Sequence, residues 1–126
     1  MTNETILIVD DNPLNLKLMK RLLEVEHYQV LTVKNAEETL TLLERFHPRL
    51  ILVDFQMPGL DGLELTRLIR SNSKNQDIFI VMVTSDDQKG EEGKAKDAGC
   101  DGYIIKPIDI KTFPGLVADF LRKKNI

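Results

Sequence analysis

The chain has a single cysteine, Cys100, so a disulfide framework within it is impossible. A reducing cytoplasm is the compartment this suggests, with Cys100 read as a small packed residue. No apolar run approaches the roughly 20 residues needed to span a bilayer. Met1 to Glu4 is polar and leads straight into a strand, which argues against a secretory signal. A strong charge of either sign is also missing. With 17 basic and 20 acidic side chains the formal charge is -3, which gives no electrostatic case for a nucleic-acid partner. The first apolar run is followed by no glycine-rich loop. It runs instead into Asp10-Asp11-Asn12-Pro13, which would repel a phosphate in the absence of a metal, so a nucleotide or flavin binder is disfavoured. With no repeat and no linker, the 126 residues read as one domain, 1–126.

Leu50-Ile51-Leu52-Val53 is an unbroken apolar run that ends in Asp54 and is followed by Met57-Pro58-Gly59. Such a run, bounded by turn signals, predicts a strand buried on both faces of a parallel sheet. Ile6 to Val9, ending at Asp10-Asp11, and Ile78 to Val83, ending at Thr84, have the same form. Tyr28 to Val33 is partly alternating and suits an edge strand. Tyr103-Ile104-Ile105, ending at Lys106-Pro107, is the fifth strand.

Helical spacing fills the gaps. Asn12-Pro13 pairs an N-cap with proline at the first helical position, and Leu14, Leu18, Leu22 and Val25 are the expected apolar stripe of helix 1. Asn35 and Glu38 resemble a capping box, with Leu40, Leu43 and Phe46 as the stripe of helix 2 and Pro48 as its stop. Leu65, Leu68 and Ile69 mark helix 3, and 71–76 is a polar loop. Asp86 to Gly99 is expected to be a helix weakened by Gly90 and Gly93. Phe113, Leu116, Val117, Phe120 and Leu121 predict a strongly amphipathic last helix. Five strands alternating with five helices make an α/β fold, a doubly wound parallel sheet with the first, third and fourth strands central.

All carboxyl ends of a parallel sheet face one side. Asp10, Asp11, Asp54, Thr84 and Lys106 therefore converge. Two like charges at 4 Å repel by about 4 kcal/mol at an effective dielectric near 20, so three acids together need cations. Lys106 supplies one, and a hard divalent ion such as Mg²⁺ suits the oxygen donors. The same set suits a phosphoryl group, held by metal and ammonium while a carboxylate attacks phosphorus. Taken alone, Asp10-Asp11 could be a turn, Thr84 a strand-end residue, Tyr103 static core, and Gly59 and Gly62 turn residues only.

Together, Asp10-Asp11, Asp54 with Met57-Pro58-Gly59 and Asp61-Gly62, Thr84-Ser85, and Gly102-Tyr103 with Lys106-Pro107 closely resemble the response-regulator receiver domain of two-component signalling. The resemblance covers essentially the whole chain. It implies the flavodoxin-like strand order 2-1-3-4-5, for which a receiver is a named example of the doubly wound rule. It makes Asp54 the phosphoacceptor. Asp11, Asp54 and the backbone carbonyl of Gln56 would bind Mg²⁺ directly, and Asp10 through water. Thr84 and Lys106 would hold phosphoryl oxygens, Tyr103 would move with Thr84, and Lys106-Pro107 would be cis.

The implied partners are a histidine kinase or phosphotransfer protein and a downstream protein target, with no membrane partner. The implied state is a monomer or weak homodimer. Beyond transferring phosphate to and from itself, the protein is expected not to be an enzyme. No output domain follows the last helix, which leaves open a stand-alone receiver or one domain of a longer chain; Met1 favours a genuine N-terminus.

Two features depart from the common receiver pattern. Pro114 falls where the last helix usually runs, so that helix is expected to start late or kink, and the surface of helix 4, strand 5 and helix 5 comes into doubt. Lys89-Gly90-Glu91-Glu92 is similar to stand-alone receivers of cell-cycle and phosphorelay pathways, and mobility is expected from Gln88 to Lys96. The rival functions are a haloacid-dehalogenase-type phosphatase and a pseudo-receiver. The first needs a second aspartate where Gln56 stands, and the complete acid, threonine and lysine set opposes the second.

Overall fold

The computed structural model describes residues 4–84 and 91–124. Strands β1 (Thr5–Val9), β2 (Gln29–Val33), β3 (Leu50–Asp54), β4 (Phe79–Thr84) and β5 (Gly102–Ile105) alternate with helices α1 (Pro13–Glu24), α2 (Ala36–Leu43), α3 (Gly62–Ser71), α4 (Glu91–Ala98) and α5 (Phe113–Lys124). All strand pairs are parallel, in the order β2-β1-β3-β4-β5. The three apolar runs without interruption are the three central strands, as their lack of a polar face requires.

Alternate residues of each central strand enter opposite cores. Ile6, Ile8, Leu50, Leu52, Val81 and Val83 pack with α1 and α5, while Leu7, Val9, Ile51, Val53, Ile80 and Met82 pack with α2, α3 and α4. No described helix is long and apolar enough to cross a membrane.

Helix phase departs from expectation in α1. The buried residues are Leu16, Met19 and Leu23, whereas Leu14 is 75% and Val25 72% exposed. Pro13–Glu24 carries apolar residues on two faces at equally good helical spacing, and contact with the sheet selects one of them. Helix α2 ends at Leu43, short of Phe46, which is half-exposed; the residue before Pro48 disfavours helical geometry, so the chain leaves the helix early. Thr39 takes an inward position there, its hydroxyl donating to the Asn35 carbonyl at 2.8 Å. Leu68 and Leu116 also face solvent, while Leu65, Ile69, Phe113, Val117 and Leu121 are buried.

Asn12 caps α1 by accepting the N–H groups of Leu14 and Asn15, and Asn35 caps α2 by accepting that of Glu38. Pro114 lies in the first turn of α5, where its missing N–H removes no intrahelical bond. That helix starts at Phe113, so the proline sits at its second position. Residues 85–90 lie outside the described residues, and with them the expected start of helix 4, Gly90, and that part of the expected mobility.

Candidate functional site

β1 and β3 deliver their acids to one edge because they are paired in register, with Val9 opposite Val53. Asp10 follows β1 and is fully buried; Asp54 is the last residue of β3 and 6% exposed; Asp11 is exposed. Carboxylate oxygens from all three lie within 4.8 Å of one another.

Lys106 enters from β5. Its N–H donates to the Thr84 carbonyl at 2.6 Å, continuing the β4–β5 ladder past Ile105. Its Nζ then lies 3.3 Å from Asp54 Oδ1 and 3.8 Å from Asp10 Oδ2. The Lys106-Pro107 bond is cis. Thr84 is buried at the end of β4, one residue beyond Val83, which pairs with Asp54. Gln56 is exposed, and its N–H donates to Asp54 Oδ1 at 3.4 Å.

Burial, and next the charge of Asp10, push the Asp54 carboxyl up from 3.8 to about 6, against the pull of Lys106 and the Gln56 N–H. Asp10 Oδ1 accepts the Asn12 N–H at 2.9 Å, but its Oδ2 is buried with no hydrogen-bond partner. A buried carboxylate oxygen with no hydrogen bond, facing only the Lys106 ammonium at 3.8 Å, is costly. One ammonium facing three acids leaves negative charge over. An orphaned oxygen and an all-oxygen donor set fit a hard divalent cation, with Asp10, Asp11 and Asp54 as the residues to hold it.

Tyr103 is not in this pocket. It lies on β5 opposite Met82, 36% exposed, so it is not static core. With Ala95, Lys96, Cys100 and Asp101 it lines a cavity of about 250 Å³ between α4 and β5. Burial pushes the Cys100 thiol up to about 11, which disfavours the reactive thiolate.

Two features escaped the sequence reading. Gly59 does serve a turn, with φ +77°, but Gly62 does more. A Cβ there would lie 2.4 Å from the Asp54 carbonyl oxygen and 2.9 Å from Met82 Sδ, so its lack of a side chain lets α3 start directly against the acidic loop. An aspartate-glycine pair at a helix start was the available signal, and it reads equally well as a simple cap. The other is a guanidinium network at Arg70, which joins positions about 30 residues apart and has no local signature.

A sequence profile of the response regulator receiver domain matches residues 6–118. The polar-differentiation response regulator DivK of Brucella ovis is 35% identical over 118 residues, which is 94% of this chain and 96% of that protein. Among solved structures, a CheY-like response regulator receiver domain protein from Methanospirillum hungatei matches with a TM-score of 0.88 and 28% identity, covering 98% of each chain. A chemotaxis response regulator of Vibrio cholerae matches in fold with a TM-score of 0.89 at 24% identity, covering 94% of this chain and 99% of that one.

Proposed function

The chain belongs to the response-regulator receiver family, and from that premise we propose that it is a phosphorylation-gated signalling module whose acceptor is Asp54. The observation that carries this is the position of Asp54: last residue of a central strand, among two further carboxylates, with Lys106 Nζ at 3.3 Å. The donor is a phosphoimidazole on a histidine kinase or phosphotransfer protein, and the site of action is the cytoplasm. Asp10, Asp11 and Asp54, with the Gln56 carbonyl, would hold Mg²⁺, whose charge would offset that of the acids and of the incoming phosphoryl oxygens.

Among the described residues, the Gln56 N–H and Lys106 Nζ both fall on Asp54 Oδ1, which leaves Oδ2 as the nucleophile. It forms the new P–O bond as the P–N bond breaks, and the imidazole leaves with the electron pair. Lys106 and Thr84 then hold the phosphoryl oxygens. Hydrolysis by water returns the carboxylate and inorganic phosphate. The protein turns over no separate substrate. A phosphatase would need proton transfer from the residue two past the acceptor, and Gln56 cannot supply it.

Switching requires contacts made only with phosphate. Moving a 1:99 equilibrium to 99:1 takes about 5.5 kcal/mol. Two charge-assisted hydrogen bonds, from Thr84 and Lys106, at roughly 1.5–3 kcal/mol each, come near that figure. Tyr103 then moves, and the surface of α4, β5 and α5 meets the downstream protein.

The test is incubation with acetyl phosphate and Mg²⁺ followed by intact mass. A gain of one phosphate that is absent in Asp54→Ala and absent in EDTA supports the proposal. An unmodified wild-type chain refutes it.

A further inference from the structure

Lys106 reaches Asp54 only if β5 lies in the right register, and β5 is poorly equipped to set its own. It is an edge strand of four residues, paired within the sheet with β4 alone. Along it Gly102 is half-buried, Tyr103 and Ile105 are exposed, and only Ile104 is buried. A single inward apolar side chain specifies register weakly. A slip of one residue would shift Lys106 by about 3.3 Å and turn it to the opposite face, away from both carboxylates.

The other end of β5 carries a fixture that the acidic site does not use. The Asp101 N–H donates to the Ile80 carbonyl at 2.7 Å, and the Ile80 N–H donates to Asp101 Oδ2 at 2.9 Å. That carboxylate stands in for a strand carbonyl and starts the β4–β5 ladder. The same oxygen accepts Arg70 Nη2 at 2.7 Å. Arg70 directs its Nε to the Gly99 carbonyl at 2.9 Å and its Nη1 to the Asn75 carbonyl at 2.9 Å. Gly99 has φ +111°, and a Cβ there would lie 2.7 Å from Arg70 Cγ, so glycine both makes this corner and leaves room for the side chain. One guanidinium thus ties α3, the approach to β4, and the α4–β5 corner together. The Arg70 side chain is 15% exposed and that of Asp101 41%, and what sets this pair apart from a surface ion pair is that the other guanidinium donors make part-buried hydrogen bonds to the backbone carbonyls of Gly99 and Asn75.

We propose that Arg70 and Asp101 form a register clamp, a positioning pair that fixes where β5 enters the sheet and so places Lys106 against Asp54. What the clamp does for phosphoryl transfer rests on Asp54 being the acceptor; the clamp itself does not.

The test uses the full chain with Arg70→Met, Asp101→Ala, Asp101→Asn and the double variant Arg70→Met/Asp101→Ala. Amide exchange at Lys106, bonded to Thr84 at the far end of β5, is the readout, with Ile8 and Leu52 as internal references. In Arg70→Met and Asp101→Ala, Lys106 exchanges about 10-fold faster or more while Ile8 and Leu52 stay within about 3-fold of wild type. The double variant is no worse than either single, because both remove one device. Asp101→Asn, which keeps an acceptor for Ile80, recovers most of the protection. Phosphorylation by acetyl phosphate at saturating Mg²⁺ slows about 10-fold in step with Lys106 exchange.

Unchanged Lys106 exchange in folded Arg70→Met and Asp101→Ala overturns the clamp. If Arg70→Met also loses protection at Ile8 and Leu52, the comparison of Asp101→Ala with Asp101→Asn decides, and equal Lys106 exchange in those two overturns it. A wild-type chain that takes no phosphate overturns the acceptor assignment instead, and the exchange result stands separately.

Discussion

Replacing Asp54 by asparagine should stabilise the cation-free protein at neutral pH. Burial beside Asp10 raises the Asp54 carboxyl from 3.8 to about 6 in the folded chain. Between those two values the native state holds a proton that the unfolded state has released. Stability therefore falls as pH rises through this window and levels off above it. A gap of roughly two pH units at about 1.36 kcal/mol each makes the full penalty roughly 3 kcal/mol at pH 7 as an upper figure. Asparagine keeps an oxygen for the Gln56 N–H and for Lys106 but carries no charge to desolvate.

With a urea slope of about 1–3 kcal/mol/M, that upper figure puts the unfolding midpoint of Asp54→Asn in EDTA up to roughly 1–3 M above wild type at pH 7. The difference should shrink toward zero near pH 4. Magnesium should act the other way. A cation at 100 times its Kd stabilises the wild type by about 2.7 kcal/mol, and a variant lacking one ligand charge gains far less. The variant's advantage should therefore narrow or reverse in Mg²⁺. An Asp54→Asn protein less stable than wild type in EDTA at pH 7, or an advantage independent of pH, would refute the reasoning.

Lys106→Met removes the ammonium that faces both buried carboxylates and should destabilise the cation-free protein by roughly 2–4 kcal/mol at pH 7, and by less at pH 4, as read by urea unfolding. Gly62→Ala drives a Cβ toward the Asp54 carbonyl oxygen and should cost roughly 1–3 kcal/mol, visible as a lower Tm. Leu23→Ala should cost roughly 2–5 kcal/mol, as core truncations do. Leu14→Ala should stay within about 0.5 kcal/mol. The reverse ranking would mean that α1 presents its other face to the sheet.

Strands and their polar ends were legible because each central strand is a bare apolar run that stops at Asp10, Asp54 or Thr84. The strand order was not: periodicity identifies strands but not their neighbours, and the order came from the family resemblance. Convergence of the acids followed from parallel pairing alone, whereas the orphaned Asp10 Oδ2 needed coordinates. Helix phase failed in α1 because Leu14, Leu16, Leu18, Met19, Leu22 and Leu23 offer two apolar faces, and only contact with the sheet chooses between them. Phe46 failed because an apolar residue at helical spacing reads as core even after the helix has ended. Arg70 and Asp101 were invisible because two charges 31 positions apart become partners only once α3 and the α4–β5 corner are in place.

The chemistry can be read at the residue itself. After reaction with acetyl phosphate in Mg²⁺, borohydride reduction converts an aspartyl phosphate to homoserine, which peptide mass spectrometry locates. Homoserine at position 54 and nowhere else is the predicted result. Homoserine at position 10 or 11, or none at all under conditions where the chain remains folded, would contradict it.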